Sequence, residues 1–337
     1  MDNDIANLAG ATILVTGGTG FTGSHLLRRL TGAGLSVRAV VRPSSNRTHL
    51  ADLPVEWHEG DVFDPAVIHE AMQGVHYVFH MATLYRTGDA TEEEHRQVHV
   101  RSTELLCREA IEQADFKRFI HVSTIGVHGH IESPPANEET VFRPGDEYQR
   151  TKAEAEEWLT AFAAETRLPY TIIRPAAIYG PGDQRLLKIF RMAGHAWCPI
   201  LGRRPCLYHL IHVDDLVGIL IRSAVHPHAL GEAFIAGNPD PIPLDRMLKI
   251  IAAARGGSTR IIRLPVLPFW LLAALCETVC RPLGLTPPLY RRRIKFFLND
   301  RAFDTRKVRE RLEYTFTHSD EEGLTKTAHE YMKQGML

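Results

Sequence analysis

The segment Thr16-Gly17-Gly18-Thr19-Gly20-Phe21-Thr22-Gly23 constrains this chain more than any other. It follows the apolar run Thr12–Val15 and opens the amphipathic stretch Gly23–Thr31, whose Leu26, Leu27 and Leu30 share one helical face. A strand, a glycine turn and a helix in that order make a phosphate cradle. Gly17 supplies the tight turn, Gly20 leaves room for a pyrophosphate against the backbone, and Gly23 lets the helix pack close to the sheet. Three glycines alone would say little. Their place between a strand and a helix carries the reading.

The rest of the first half continues that rhythm. Val37–Val41, Val55–His58, Tyr77–His80, Arg118–Val122 and Tyr170–Arg174 read as strands, and Glu92 to Gln113 reads as helix through Val98, Leu105, Leu106 and Ala110. Continuous apolar runs such as Ile13-Leu14-Val15 suit parallel strands buried on both faces. The expected fold is α/β, a Rossmann-type doubly wound parallel sheet with a smaller C-terminal substrate-binding lobe. Residues 1–182 form the dinucleotide-binding domain, and 208–240, with a strand and helix at Leu210–Ser223 and a strand at Ala233–Ala236, return to it. Residues 183–207 and 241–337 form the lobe.

Charge and composition remove several classes of function. With 39 Lys+Arg against 40 Asp+Glu the net charge is −1, so nucleic acid is not an expected partner. Five Cys without repeated spacing make no disulfide framework, and Met1–Gly10, with Asp2 and Asp4, does not read as a signal peptide. A reducing, cytoplasmic setting is expected. The apolar run Leu264–Cys276 is broken by Pro265 and Pro268 and is shorter than the roughly 20 residues a bilayer span needs.

The second strand ends in Val41-Arg42-Pro43, where an NAD-selective site would place an acid on the ribose 2′-hydroxyl. The Arg42 guanidinium suits a 2′-phosphate instead, so NADP(H) is expected, with NAD(H) as the alternative. Asp61-Val62, after the third strand, is placed to cover the adenine. Tyr148 and Lys152 lie four apart at a helix start and share a face. An ammonium beside a phenol favours the phenolate and suits the pair to proton transfer near neutral pH. The strand Arg118–Val122 ends in Ser123-Thr124, which puts hydroxyls at the sheet edge where α/β ligands bind. His128, His130 and Glu132 lack a further His or Cys close by, so no metal is expected.

Together these motifs resemble the extended short-chain dehydrogenases/reductases of the NAD-dependent epimerase/dehydratase superfamily. In character the chain is nearest to members similar to 3β-hydroxysteroid dehydrogenase and dihydroflavonol reductase. The resemblance runs through Thr16–Gly23, Gly60-Asp61-Val62, Val78–Ala82, Val122–Gly129, Tyr148–Lys152, Arg174–Gly182 and His212-Val213-Asp214-Asp215-Leu216. It implies Tyr148 as general acid/base, Lys152 on the nicotinamide ribose and Thr124 holding the substrate oxygen. It implies a dinucleotide set of Gly17, Thr19, Gly20, Phe21, Thr22, Gly23, Arg42, Asp61, Val62, Ala82, Tyr148, Lys152, Pro175 and Ala176. A homodimer through the helix of Tyr148 and its sheet neighbour is a further implication.

The departures bear on substrate. Nucleotide-sugar members carry an Arg that clamps the substrate diphosphate where this chain has Tyr208, and an Asn where it has Ala177. Arg203 or Arg204 is the nearest substitute. His128 stands where Tyr is common, and His99 where Asn is common. Phe269, Trp270, Leu271, Leu272, Leu275 and Leu283 make the lobe apolar, with Pro287–Arg293 as a basic run beside it. Cys276 and Cys280 read as core residues of that helix, and a core helix is the default for the segment. Peripheral membrane contact through 264–295 is the alternative. The expected function is an NADP(H)-dependent oxidoreductase that interconverts hydroxyl and ketone on an apolar, sterol- or isoprenoid-like substrate. A redox-neutral nucleotide-sugar epimerase or dehydratase is the competing one.

Overall fold

A computed structural model describes residues 2–84, 90–280, 289, 291, 294 and 298–337. Its centre is a seven-stranded sheet built from β1 (Thr12–Thr16), β2 (Ser36–Val41), β3 (Val55–Glu59), β4 (Tyr77–His80), β5 (Arg118–Val122), β6 (Tyr170–Pro175) and the strand Glu232–Ala236. The strands are all parallel, in the order Glu232–Ala236, β6, β5, β4, β1, β2, β3. The chain order reverses between β1 and β4, which opens a ligand crevice at their C-terminal ends.

Alternation along each strand divides the core into two layers. Ile13, Val15, Phe79 and Ile120 face the helices Phe21–Gly32 and Val213–Val225 and meet Leu26, Leu30, Leu216 and Leu220. Leu14, Val78 and Phe119 point the other way, onto Ile68, Leu105, Leu106 and Leu159. This is why the strands read as unbroken apolar runs. The predicted strands all form, with ends differing by a residue at most.

Glu92 to Gln113 is not one regular helix. Helices Glu92–Arg96 and Ser102–Glu112 flank a π-helical turn, Gln97–Arg101. Thr91 starts the run with a capping box to Glu94. A second core, with Phe190, Ile200, Tyr208, Met247, Leu248, Leu324 and Tyr331, lies beside the sheet. It joins the helices Leu244–Ala254 and Asp320–Lys333 to the strand pair Trp197–Leu201 and Arg260–Leu264.

The helix Val266–Cys280 corrects the expectation of a core helix. Leu267, Leu271, Leu272, Leu275 and Val279 are 50–66% exposed, while Ala273 and Glu277 are its buried residues. Cys276 and Cys280 are half-buried rather than core. Leu283 and most of the basic run, residues 287, 288, 290, 292 and 293, lie outside the described residues. Among the described residues, no helix is long and apolar enough to cross a membrane.

Candidate active site

The C-terminal ends of β1, β4, β5 and β6 open onto a cavity of about 570 Å³. The glycine loop forms one wall. Gly17 has φ +73°, and a Cβ there would lie 2.7 Å from the Met81 carbonyl; a Cβ at Gly23 would strike the Gly17 oxygen. The helix Phe21–Gly32 starts at Gly20 with no side-chain cap and no acid in its first turn, so its N-terminal N–H groups face the cradle uncompensated. Glycine backbone, positive dipole end and absence of side-chain competition fit a dinucleotide pyrophosphate.

Behind the loop, Thr16 Oγ1 accepts from the Met81 and Ala82 N–H groups, both at 3.2 Å, and lies 2.7 Å from His80 Nδ1. His80 Nε2 is 3.1 Å from Ser102 Oγ, whose own hydrogen goes to the Val98 carbonyl. One tautomer satisfies the chain: Thr16 donates to Nδ1 and Nε2–H donates to Ser102. Burial holds the His80 imidazole far below its ordinary value, so it stays neutral.

Tyr148 and Lys152 stand in the first turns of the helix Glu147–Thr166, which Asp146 caps by accepting from the Gln149 N–H. Both line the cavity and both are buried. Lys152 Nζ donates to the Val122 carbonyl at 2.7 Å, which ties it to the end of β5. Burial pulls its ammonium down to about 8, against a smaller opposing pull from Glu156. Glu156 in turn binds the buried Arg174, with Nη2 to Oε2 at 2.7 Å and Nε to Oε2 at 3.0 Å. Thr124 Oγ1 accepts from the Gly126 N–H at 3.0 Å, and its hydroxyl hydrogen has no acceptor among the described contacts. Ser123 Oγ, also in the lining, is buried without a partner among the described residues.

The cavity therefore gathers Gly17, Gly20, Phe21, Thr22, Gly23, Thr124, Tyr148, Lys152, Pro175 and Ala176. Thr19 and Ala82 are not among the lining residues. Arg42 and Asp61 are exposed and Val62 is half-buried, at and beyond the ends of β2 and β3 and away from the cavity.

The structure corrects the substitute expected for the Arg that Tyr208 replaces. Arg204 is 74% exposed, paired with Asp300 at 2.7 Å, and lines no part of this cavity. Arg301 enters it instead, with its guanidinium 5.1 Å over the Tyr208 ring. Arg185 is the other guanidinium in the lining; it lies over Phe21 and donates to Asp183 Oδ1 at 2.7 Å. Arg301 was missed because no local signal links it to Tyr208.

His128, His130 and Glu132 do not converge: His128 Nδ1 lies 2.8 Å from the Thr140 carbonyl and Glu132 pairs with Arg143. Among the described residues, His212, Asp214 and His318 bring three ligand-type atoms within 4.8 Å. The Lys326 ammonium lies 3.6 Å from Asp214, and His25 Nδ1 lies 3.2 Å from the same carboxylate. Those contacts make the cluster an ion-paired clasp between the sheet domain and the C-terminal helix.

The model of the family described as NAD dependent epimerase/dehydratase matches residues 13–237. The chain belongs to that family. It is an NAD(P)-binding enzyme of the extended short-chain dehydrogenase/reductase type, a group acting on CH–OH groups. It is 38% identical over 177 residues to sterol demethylase protein B of Methylococcus capsulatus, which covers 52% of this chain and 53% of that protein. It is 28% identical to UDP-glucose 4-epimerase of Vibrio cholerae over 77% of this chain and 79% of that one. It is 27% identical to 3beta-hydroxysteroid-dehydrogenase/decarboxylase isoform 2 of Arabidopsis thaliana, over 93% and 61%. The matches thus span between about half and four fifths of these relatives. In fold, it superposes on UDP-glucose 4-epimerase of Thermotoga maritima with a TM-score of 0.77 at 24% identity, over 96% of this chain and 99% of that one.

Proposed function

We propose that this protein is an NADP(H)-dependent oxidoreductase that interconverts a hydroxyl and a ketone on an apolar, sterol-like substrate. One observation carries the reading: Tyr148, Lys152 and Thr124 line a single cavity together with the glycine cradle. When bound there, the nicotinamide supplies or accepts the hydride. Tyr148 gives a proton to the substrate oxygen in reduction and takes it back in oxidation. Lys152, charged at pH 7 and anchored on Val122, holds the ribose and favours the phenolate. Thr124 donates to the same substrate oxygen.

The substrate side of the cavity is apolar, with Ile131, Ile178, Ile189, Leu210, Met247 and Phe303. A lining of that kind suits a rigid hydrocarbon body. The names of the M. capsulatus and A. thaliana relatives add support for a sterol. Arg42, exposed at the end of β2, favours a 2′-phosphate and hence NADP(H) over NAD(H). The same reading assigns residues 1–182 and 208–240 to the dinucleotide and the remainder to the substrate. It assigns the exposed leucine face of Val266–Cys280 to peripheral membrane contact, in a cytoplasmic protein that dimerises through Glu147–Thr166.

Arg301 and Arg185 favour a second reading, a redox-neutral nucleotide-sugar epimerase or dehydratase, because guanidinium groups suit a diphosphate. Net nicotinamide turnover separates the two. Sterol and isoprenoid alcohols and ketones form one pool and nucleotide sugars the other, with wild type and Tyr148→Phe compared. Steady turnover with the lipid pool, faster with NADP(H) and abolished in Tyr148→Phe with dinucleotide binding retained, is expected. A nucleotide sugar converted without net turnover refutes the first reading, and an active Tyr148→Phe refutes the mechanism.

A further inference from the structure

We propose that His99 is a positioning residue, a neutral imidazole bridge that sets Tyr148 against the wall of the nicotinamide pocket. The proposal rests on the reading of Tyr148 as the proton-transferring group. His99 is fully buried in the π-helical turn Gln97–Arg101. Its Nε2 lies 3.1 Å from the Leu84 backbone nitrogen and 2.9 Å from Thr83 Oγ1. A backbone N–H can only donate, so Nε2 is the acceptor and Nδ1 carries the hydrogen. Nδ1–H then donates to Thr151 Oγ1 at 2.8 Å, and Thr151 passes its own hydrogen to the Glu147 carbonyl at 3.0 Å.

The bridge therefore runs from the segment leaving β4 to the first turn of the helix that carries Tyr148 and Lys152. Thr83, at one end, lines the cavity. Thr151, at the other, sits directly before Lys152. The imidazole also packs edge-on against the Tyr148 ring, with centroids 5.5 Å apart and planes at 82°. A π-helical turn swings His99 inward, a placement such turns often serve at functional sites. Burial, with the nearby Lys152 charge adding to it, takes the His99 imidazole down to about 2. The donor–acceptor polarity of the bridge therefore holds across the working pH range.

Three substitutions separate polarity from bulk. His99→Leu keeps volume and removes both polar edges; Thr151→Val removes the far end; His99→Asn keeps an acceptor and a donor on a shorter arm. The readout is the alkaline titration of Tyr148, isolated by subtracting the phenolate absorbance of Tyr148→Phe in each background. His99→Leu and Thr151→Val are expected to move the Tyr148 midpoint by about half a pH unit or more, with His99→Asn returning it close to wild type. In turnover, His99→Leu is expected to lower kcat about tenfold or more while KM changes less than about threefold. Wild-type midpoints in both His99→Leu and Thr151→Val overturn the proposal. So does His99→Asn behaving worse than His99→Leu, since bulk would then be what matters. If no hydroxyl or ketone is turned over, the functional reading fails while the Tyr148 midpoint still decides the role of His99.

Discussion

Lys152 is where the site opposes stability, and the opposition can be measured. Its ammonium is 1% exposed, and burial takes it from 10.5 to about 8. The unfolded chain therefore holds this proton more tightly than the native one. That difference is a cost of about 3 kcal/mol to the folded state at pH 7, below both values. Between pH 8 and 10.5 the unfolded state binds more protons, so this cost disappears as pH rises. Lys152→Met removes the charge and retains the stem, but also loses the bond to the Val122 carbonyl, a charge-assisted contact worth about 1.5–3 kcal/mol. The variant is then expected to be as stable as wild type or more stable by up to about 1.5 kcal/mol at pH 7. Urea unfolding of both proteins at steps from pH 7 to 10.5 gives the difference directly, and groups titrating alike in both cancel. The advantage should shrink through that window while turnover is lost at every pH. A Lys152→Met protein less stable than wild type at pH 7, or a difference that does not vary between pH 8 and 10.5, refutes the reasoning.

Other perturbations test separate parts of the site. Arg42→Asp should weaken NADPH by about tenfold or more relative to NADH in paired titrations; equal losses on both remove the 2′-phosphate assignment. Gly23→Ala places a methyl against the Gly17 carbonyl and 2.7 Å from Gly18 Cα, so dinucleotide affinity should fall by at least about tenfold in a fluorescence titration. Glu156→Gln leaves the buried Arg174 without its counter-charge and should cost about 3 kcal/mol in urea unfolding. An Arg174→Met change in the same background should recover part of that loss.

The parts of this fold that could be read from the chain are those whose cause is local. Ile13-Leu14-Val15 reads as a doubly covered strand because each residue enters one of two helix layers, and Gly17 and Gly23 announce a close approach only glycine allows. Tyr148 and Lys152 share a face because the helix period places them there. What stayed hidden depends on contacts between distant segments. Arg301 meets Tyr208 from far along the chain, and Arg174 finds Glu156 on the preceding helix; no spacing rule connects either pair. The Gln97–Arg101 turn was hidden for another reason. One extra residue in a helical turn leaves the apolar period of Glu92 to Gln113 nearly intact, and only the backbone hydrogen bonds of the turn reveal the shift. Val266–Cys280 fails differently again. A segment apolar all round reads as core, and sequence carries no sign that only Ala273 and Glu277 become fully buried.

Arg301 and Arg185 bring the choice between substrate classes down to how many donors remain for a ligand. A diphosphate carries two negative charges and needs several charge-assisted bonds to replace its hydration. Arg185 already gives its Nε to Asp183 at 2.7 Å and lies 3.2 Å through Nη2 from the Ile178 carbonyl, so its charge is largely balanced within the protein. Arg301 holds its guanidinium 5.1 Å from the centre of the Tyr208 ring, on the wall of the cavity. The surrounding Ile189, Leu210 and Met247 add no donors, and a bound diphosphate would lose water against them without compensation. A rigid hydrocarbon alcohol with one polar substituent meets both constraints. The apolar lining supports the sterol-like reading proposed above, even though the cavity supplies the guanidinium that Tyr208 alone lacked.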